Sequence, residues 1–149
     1  MIFILSPILG ITNSSYRNAF HKHFGGMTKY YAPFVSAVNT TVENPNLLKD
    51  LSPAKSRPLQ INGAEMIPQI LSCDGVLMRK LIIKMADLGY NEINWNIGCP
   101  FPTVTRKKRG SGILPHAQLI DKVLNDAMKD IPCKLSIKMR LGLNEETEF

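Results

Sequence analysis

The sequence predicts an α/β fold built on a parallel sheet, and it favours a (β/α)8 barrel over an open doubly wound sheet. Two observations predict this. Short apolar, branched stretches alternate with stretches of helical spacing down the chain, the strand-helix-strand order of parallel sheets. No Gly-x-Gly-x-x-Gly follows the first apolar stretch, and no P-loop occurs anywhere, so the phosphate loops of doubly wound folds are missing. A complete barrel takes about 250 residues. Five strands in 149 residues are a little over half of one.

The elements follow in order. Residues 2–7, "IFILSP", form a short apolar run stopped by proline, predicting a buried strand. Residues 13–26 open on capping residues and close on two glycines, predicting a helix. Residues 27–37 are rich in aromatic and branched side chains, a second strand with its exit loop. Residues 38–65 carry Pro, Asn and Ser and predict a long connection, with a short helix near "NPNLLKDL". Residues 66–72 read as a third strand. Residues 75–89 place Val76, Leu77, Leu81, Met85 and Leu88 at helical spacing before a terminal glycine. Residues 91–98 form a fourth strand, 115–131 a helix with proline early, and 133–141 a fifth strand with Leu135, Ile137 and Met139 on one face. The only glycine-rich piece, "GSG" at 110–112, reads as a flexible loop.

Composition narrows the function classes. An apolar content of 44% supports a core, and 20% charged residues is ordinary, which argues against disorder. The net charge of +6 and pI of about 9.3 favour an anionic partner such as nucleic acid. Cys73, Cys99 and Cys133 are odd in number and widely spaced. That pattern suits a reducing cytosol, makes no disulfide framework and contains no Cys-x-x-Cys for zinc. His21 and His23, two apart on a helix, point in different directions and read as solvated histidines rather than metal ligands. The opening "MIFILSPILGI" has no basic start, is broken by Ser6 and Pro7, and is too short to cross a membrane.

Barrel chemistry sits at the carboxyl ends of the strands. There the sequence places Gln69 on strand three, Asn94, Asn96 and Cys99 on and after strand four, and Lys138 and Arg140 on strand five. Polar groups inside apolar strands are costly without partners. A planar heterocycle with carbonyl and N–H groups would supply them, and so would bonds among the residues themselves. A free cysteine thiol titrates at roughly 8.5, so such a group near a strand end can act as a general acid without an activating base. Beyond it come four cations in a row, Arg106, Lys107, Lys108 and Arg109. At the active face of a barrel such a run suits a phosphate-rich substrate. Elsewhere it would be a solvated surface.

These segments together resemble one family. "NWNIGCPFPTV" closely resembles the Asn-x-Gly-Cys-Pro signature of the tRNA-dihydrouridine synthases. "SPILGITNSSYR", "PQILSCD", "RKKRGSGILPHAQLI" and "LSIKMRLG" resemble its opening strand and loop, its Gln-bearing strand, its Lys-x-Gly-x-Gly segment and its Val-Lys-x-Arg-x-Gly strand, in the same order. The resemblance implies an FMN-binding TIM barrel followed by a helical tRNA-binding domain, a cytoplasmic enzyme that reduces tRNA uridines to 5,6-dihydrouridine with NADPH as reductant. It implies that Pro7, Ile8 and Leu9 line the flavin, that Gln69 and Lys138 hydrogen-bond it, and that Asn96, with Arg140 near, faces the uracil. Cys99 would protonate uracil C5 while the flavin supplies hydride to C6, and Arg106 to Arg109 would hold the tRNA backbone. Ile8 and Leu9 stand where the family commonly has Met and a small residue, and Ser72 and Gly75 where Gly and Pro are common.

Residues 1–149 are therefore expected to be the N-terminal part of such a barrel, binding FMN weakly or not at all by themselves, with strands one and five unpaired at their edges and apolar interior exposed. Two other readings stay open: a dihydroorotate dehydrogenase-like flavoenzyme acting on a free pyrimidine, and a truncated, inactive RNA-binding copy.

Overall fold

A computed structural model describes residues 2–38, 44, 46–55 and 63–146. Five parallel strands run in sequence order: β1 (Ile4–Leu5), β2 (Lys29–Ser36), β3 (Glu65–Leu71), β4 (Glu92–Ile97) and β5 (Lys134–Met139). Sequential order with parallel pairing is the arrangement of the first part of a (β/α)8 barrel, and the doubly wound alternative falls away. The helices are α1 (Ser14–His23), α2 (Gly75–Asp87), the short α3 (Pro102–Thr105) and α4 (Ala117–Ala127). Among the described residues no helix is long and apolar enough to cross a membrane.

The predicted caps form. Asn13 accepts a hydrogen bond from Tyr16 N to start α1, and Asp74 accepts from Leu77 N to start α2, each at 3.0 Å. The buried stripe of α2 is Met78, Leu81, Ile82 and Met85, whereas Val76, expected on that stripe, is 57% exposed in the first turn. The expected short helix near 44–51 reduces to a 3-10 turn, Lys49–Leu51. Residues 39–43, 45 and 56–62 of that connection lie outside the described residues.

Two proline positions explain the irregular ladder between β2 and β3. Its register skips from Tyr31 opposite Ile67 to Phe34 opposite Gln69. Ala32 and Pro33 thus bulge against the single residue Pro68. Neither proline has an N–H to give a ladder, and a bulge is where a sheet interior tolerates proline.

Register sorts the strand residues into two faces. Met66, Ile70, Ile93, Trp95 and Ile97 belong to one apolar core with the buried stripes of α2 and α4. Trp95 is fully buried there, its Nε1–H donating to Ser72 O at 3.0 Å. The opposite face, the concave side of the arc, carries layers. Lys29 bridges Glu65 and Glu92 at 2.9 and 3.2 Å near the amino ends, and Gln69, Asn94, Asn96, Ser136 and Lys138 lie further along. The hydrogen bonds of Lys29, first that with Glu65, hold its ammonium above the usual range.

Three expectations are corrected. The first strand is not buried: it has two residues at the sheet edge, with Ile2, Phe3 and Ile4 71%, 50% and 48% exposed, because it pairs only with β2 among the described strands. His21 is not a solvated histidine. Its Nδ1 lies 3.0 Å from the Tyr30 hydroxyl, and the two rings meet edge-on. The "GSG" segment is not a flexible loop but a 3-10 turn, Gly110–Ile113, with every residue buried.

Candidate active site

The loop after β1 is built by short bonds. Thr12 Oγ1 accepts from Ile8 N at 2.8 Å and donates to Ile8 O at 3.2 Å. Arg17, 1% exposed, reaches back from α1 to Thr12 O at 2.7 Å and pairs with Asp50 Oδ2 at 2.9 Å. Burial alone would raise the Asp50 carboxyl, but hydrogen bonds from Ser14 and the Arg17 guanidinium outweigh it and hold the group below the usual range. This clamp sets where Pro7, Ile8 and Leu9 stand at the mouth of the arc.

The Cys99 turn is held from two sides. Asn96 Oδ1 accepts from Gly98 N at 3.1 Å and Cys99 N at 2.7 Å. Ser111 closes on the other side, its N–H and hydroxyl donating to Cys99 O at 2.9 and 3.2 Å. Between the two, the chain leaves as α3, started by Pro102 at its first position, where a missing N–H costs nothing. The backbone then turns through Lys108 with φ 53° and Gly110 with φ 53°. A Cβ on Gly110 would strike Cys99 O, so only glycine lets the segment pass.

Two adjoining cavities open on this face. One, about 260 Å³, is lined by Pro7, Ile8, Leu9, Gln69, Asn96, Cys99 and Lys138 among others. It therefore gathers every residue expected to contact the flavin, together with Asn96 and the thiol. The other, about 700 Å³, is lined by Ile8, Leu9, Phe34, Cys99, Phe101, Lys107 and Arg109 among others. Ile8, Leu9, Phe34 and Cys99 belong to both. The basic run is divided around the left-handed Lys108: exposed Lys107 and half-buried Arg109 line the larger cavity, while Arg106 and Lys108, also exposed, line neither. Arg109 Nε is buried with no hydrogen-bond partner among the described residues. Arg140 lies one residue past β5, exposed, and lines neither cavity.

The inner-face amides are already bonded to one another. Gln69 is fully buried, with its Nε2 donating to Asn94 Oδ1 at 2.7 Å and its Oε1 accepting from Asn96 Nδ2 at 3.1 Å. Each end of Gln69 keeps one further hydrogen-bonding position, one N–H and one lone pair. With the exposed apolar side chains of Ile8 and Leu9 and the Lys138 ammonium, that donor and acceptor set fits a flat heterocycle with carbonyl and N–H edges, as flavin mononucleotide has. Ser136, Phe34 and Ser111 join the site without a mark in the local sequence motifs. Ser136 could have been found, since it alternates with Lys138 on β5, but only the fold shows Ser111 against Cys99. Among the described residues no group of three or more His, Cys, Asp or Glu side chains could hold a metal.

Comparison with known proteins agrees with these observations. The dihydrouridine synthase (Dus) family model matches residues 4–149. The chain is 27% identical over 146 residues to the tRNA-dihydrouridine(16) synthase of Neisseria meningitidis serogroup A, covering 97% of this chain and 44% of that protein. It is 30% identical over 142 residues to tRNA-dihydrouridine synthase B of Pectobacterium carotovorum, covering 93% of this chain and 41% of that protein. It is 29% identical over 142 residues to tRNA-dihydrouridine synthase B of Pasteurella multocida, covering 95% and 40%. The chain thus spans less than half the length of these relatives. It belongs to the dihydrouridine synthase family.

Proposed function

We propose that residues 1–149 supply the N-terminal part of the catalytic barrel of a cytoplasmic tRNA-dihydrouridine synthase, which binds FMN, takes its electrons from NADPH and reduces a tRNA uridine. One observation carries the reading. Cys99 is shared by a pocket suited to a flat heterocycle and a cleft bearing Lys107 and Arg109. A thiol stands between the place for a ring and the place for phosphates. The free cysteines suit the reducing cytoplasm.

Pro7, Ile8, Leu9, Gln69 and Lys138 would hold FMN, which when bound supplies the hydride equivalent for uracil C6. The chain's own residues do the rest. Cys99 gives its thiol proton to C5 on the saturating double bond, and the thiolate regains a proton from solvent. Asn96 holds the Cys99 backbone so that the thiol meets the base. Lys107 and Arg109 neutralise backbone phosphates flanking the reduced nucleotide, with Arg106, Lys108 and Arg140 forming an outer cationic rim. The cations in the cleft favour tRNA over a free pyrimidine such as dihydroorotate.

The test uses the full-length protein with FMN, NADPH and unmodified tRNA transcripts. Dihydrouridine should form with tRNA and not with free uracil, and Cys99→Ala should lower the rate about 10²–10⁴-fold while NADPH still bleaches the flavin. Full turnover by Cys99→Ala, or equal reduction of a free pyrimidine, overturns the reading.

A further inference from the structure

An unbroken chain of hydrogen bonds crosses the inner face from the Cys99 turn to β5, and its sense is fixed at one end. The N–H groups of Gly98 and Cys99 can only donate, so the atom of Asn96 that meets them must be the oxygen. Its Nδ2 must then face Gln69, whose Oε1 accepts at 3.1 Å. Gln69 Nε2 must in turn face Asn94 Oδ1 at 2.7 Å. Asn94 Nδ2 is left to donate to Ser136 Oγ at 3.0 Å. Amide orientations are ordinarily ambiguous. Here two backbone donors determine three of them. The hydroxyls of Ser136 and neighbouring Tyr31 are the first members able to both give and accept.

We infer that Asn94 is a positioning residue, and that through Asn96 and Asn94 the Cys99 turn dictates which way round Gln69 presents its amide to the pocket. Asn94 is 1% exposed and lines neither cavity, and its hydrogen bond toward a cavity-lining residue is the one it accepts from Gln69. Closing the cysteine turn and orienting the ligand-reading amide are then one event. The consequence for flavin rests on the proposed function; the sense of the chain does not.

Single substitutions separate these ideas. In Asn96→Asp one carboxylate oxygen keeps the two backbone bonds and the other faces Gln69. Gln69 must then turn its NH2 toward position 96, Asn94 must turn too, and the hydroxyls of Ser136 and Tyr31 absorb the reversal. Asn94→Asp keeps the original sense, because its carboxylate accepts from both Gln69 and the Ser136 hydroxyl. Asn94→Leu removes the partner of Gln69 Nε2.

The readouts are NOEs from the Gln69 side-chain amide protons and FMN affinity by fluorescence titration, both in the full-length protein. Gln69 should show NOEs to the β protons of residue 94 in the unaltered protein and in Asn94→Asp, and to those of residue 96 in Asn96→Asp. Asn94→Leu should weaken FMN about tenfold, with Asn94→Asp restoring it. Gln69 NOEs that stay with residue 94 in Asn96→Asp overturn the inference, as does unchanged FMN affinity in Asn94→Leu beside an unaltered protein that binds FMN. Should Asn94→Leu not fold, the Asn96→Asp and Asn94→Asp spectra decide. If the unaltered protein itself fails to bind FMN, the flavin reading falls while the NOE pattern still decides the chain's sense.

Discussion

Gly110→Ala should damage the protein far more than an ordinary glycine substitution, and the structure says by how much. The backbone at Gly110 has φ 53°, a conformation that costs an alanine about 1 kcal/mol more than a glycine. The added Cβ would also meet Cys99 O and lie 2.9 Å from Val104 Cγ1. Overpacking of that kind costs about 1–3 kcal/mol. Relief by moving the segment away stretches the two hydrogen bonds from Ser111 to Cys99 O, each worth about 1 kcal/mol. The sum is about 4–6 kcal/mol. Gly89 supplies the control: its φ is 92°, but no atom lies within 4 Å of an added Cβ. Gly89→Ala should therefore cost only the conformational part, about 1 kcal/mol.

Urea unfolding of the two variants measures both costs, with unchanged slopes confirming the comparison. Alkylation followed by peptide mass spectrometry locates the damage. The thiol of Cys99 should react faster in Gly110→Ala and not in Gly89→Ala, because only the first loosens the Ser111 clasp. Equal costs for the two variants, or unchanged Cys99 reactivity, would refute the claim that the Gly110–Ile113 turn holds the Cys99 turn in place.

Three further outcomes follow from the same geometry. Lys107→Ala with Arg109→Ala should weaken tRNA binding and reduce its salt slope by about one per lost phosphate contact, whereas Arg106→Ala with Lys108→Ala should change both less; filter binding across a salt series distinguishes the pairs. The Asp50 carboxyl titrates below its ordinary value of 3.8, so its contribution is complete above that pH and is lost as pH falls through the folded value; acid unfolding should begin at higher pH in the unaltered protein than the loss of other carboxylates explains, and Asp50→Asn should flatten stability in that window while lowering it at neutrality. Trp95→Phe removes the donor to the buried Ser72 O and should cost about 1–3 kcal/mol in denaturant unfolding.

Much of the fold was legible because period and punctuation agree. Asn13 and Asp74 announce helix starts, and both cap as expected. The five strands were readable as apolar stretches between turn residues. The exposure of β1 follows from the unpaired edge of a partial barrel and not from its composition. Residues 2–7 look like an interior strand by composition, but burial depends on neighbours, and β1 has a strand partner on one side only among the described residues. Val76 fits a helical stripe by spacing, but it sits in the first turn, ahead of the region where α2 meets the sheet. His21 begins a His-Lys-His run at the end of α1, and nothing local announces Tyr30 beside it.

The site divides along the same physical line. Residues whose chemistry is tied to strand register were legible: Gln69, Asn96 and Lys138 share the inner face by alternation, and the structure brings all three to one pocket with Cys99. Residues placed by loop geometry were not. The run 106–109 reads as one block of charge, yet around the left-handed Lys108 only Arg109 is drawn partly under cover, and of the four only Lys107 and Arg109 line the larger cavity. The glycines after it read as slack and prove to be the tightest packing at the site, because a segment that must carry cations past the cysteine can approach its carbonyl only without a side chain. The choice between amides awaiting a ligand and amides bonded to one another also resolves. They are bonded to one another, and Gln69 still keeps one donor and one acceptor position. A network complete in itself but not saturated holds its groups in place before any ligand arrives. Pre-organisation of that kind is what a site needs if its donors must not reorganise during the reaction.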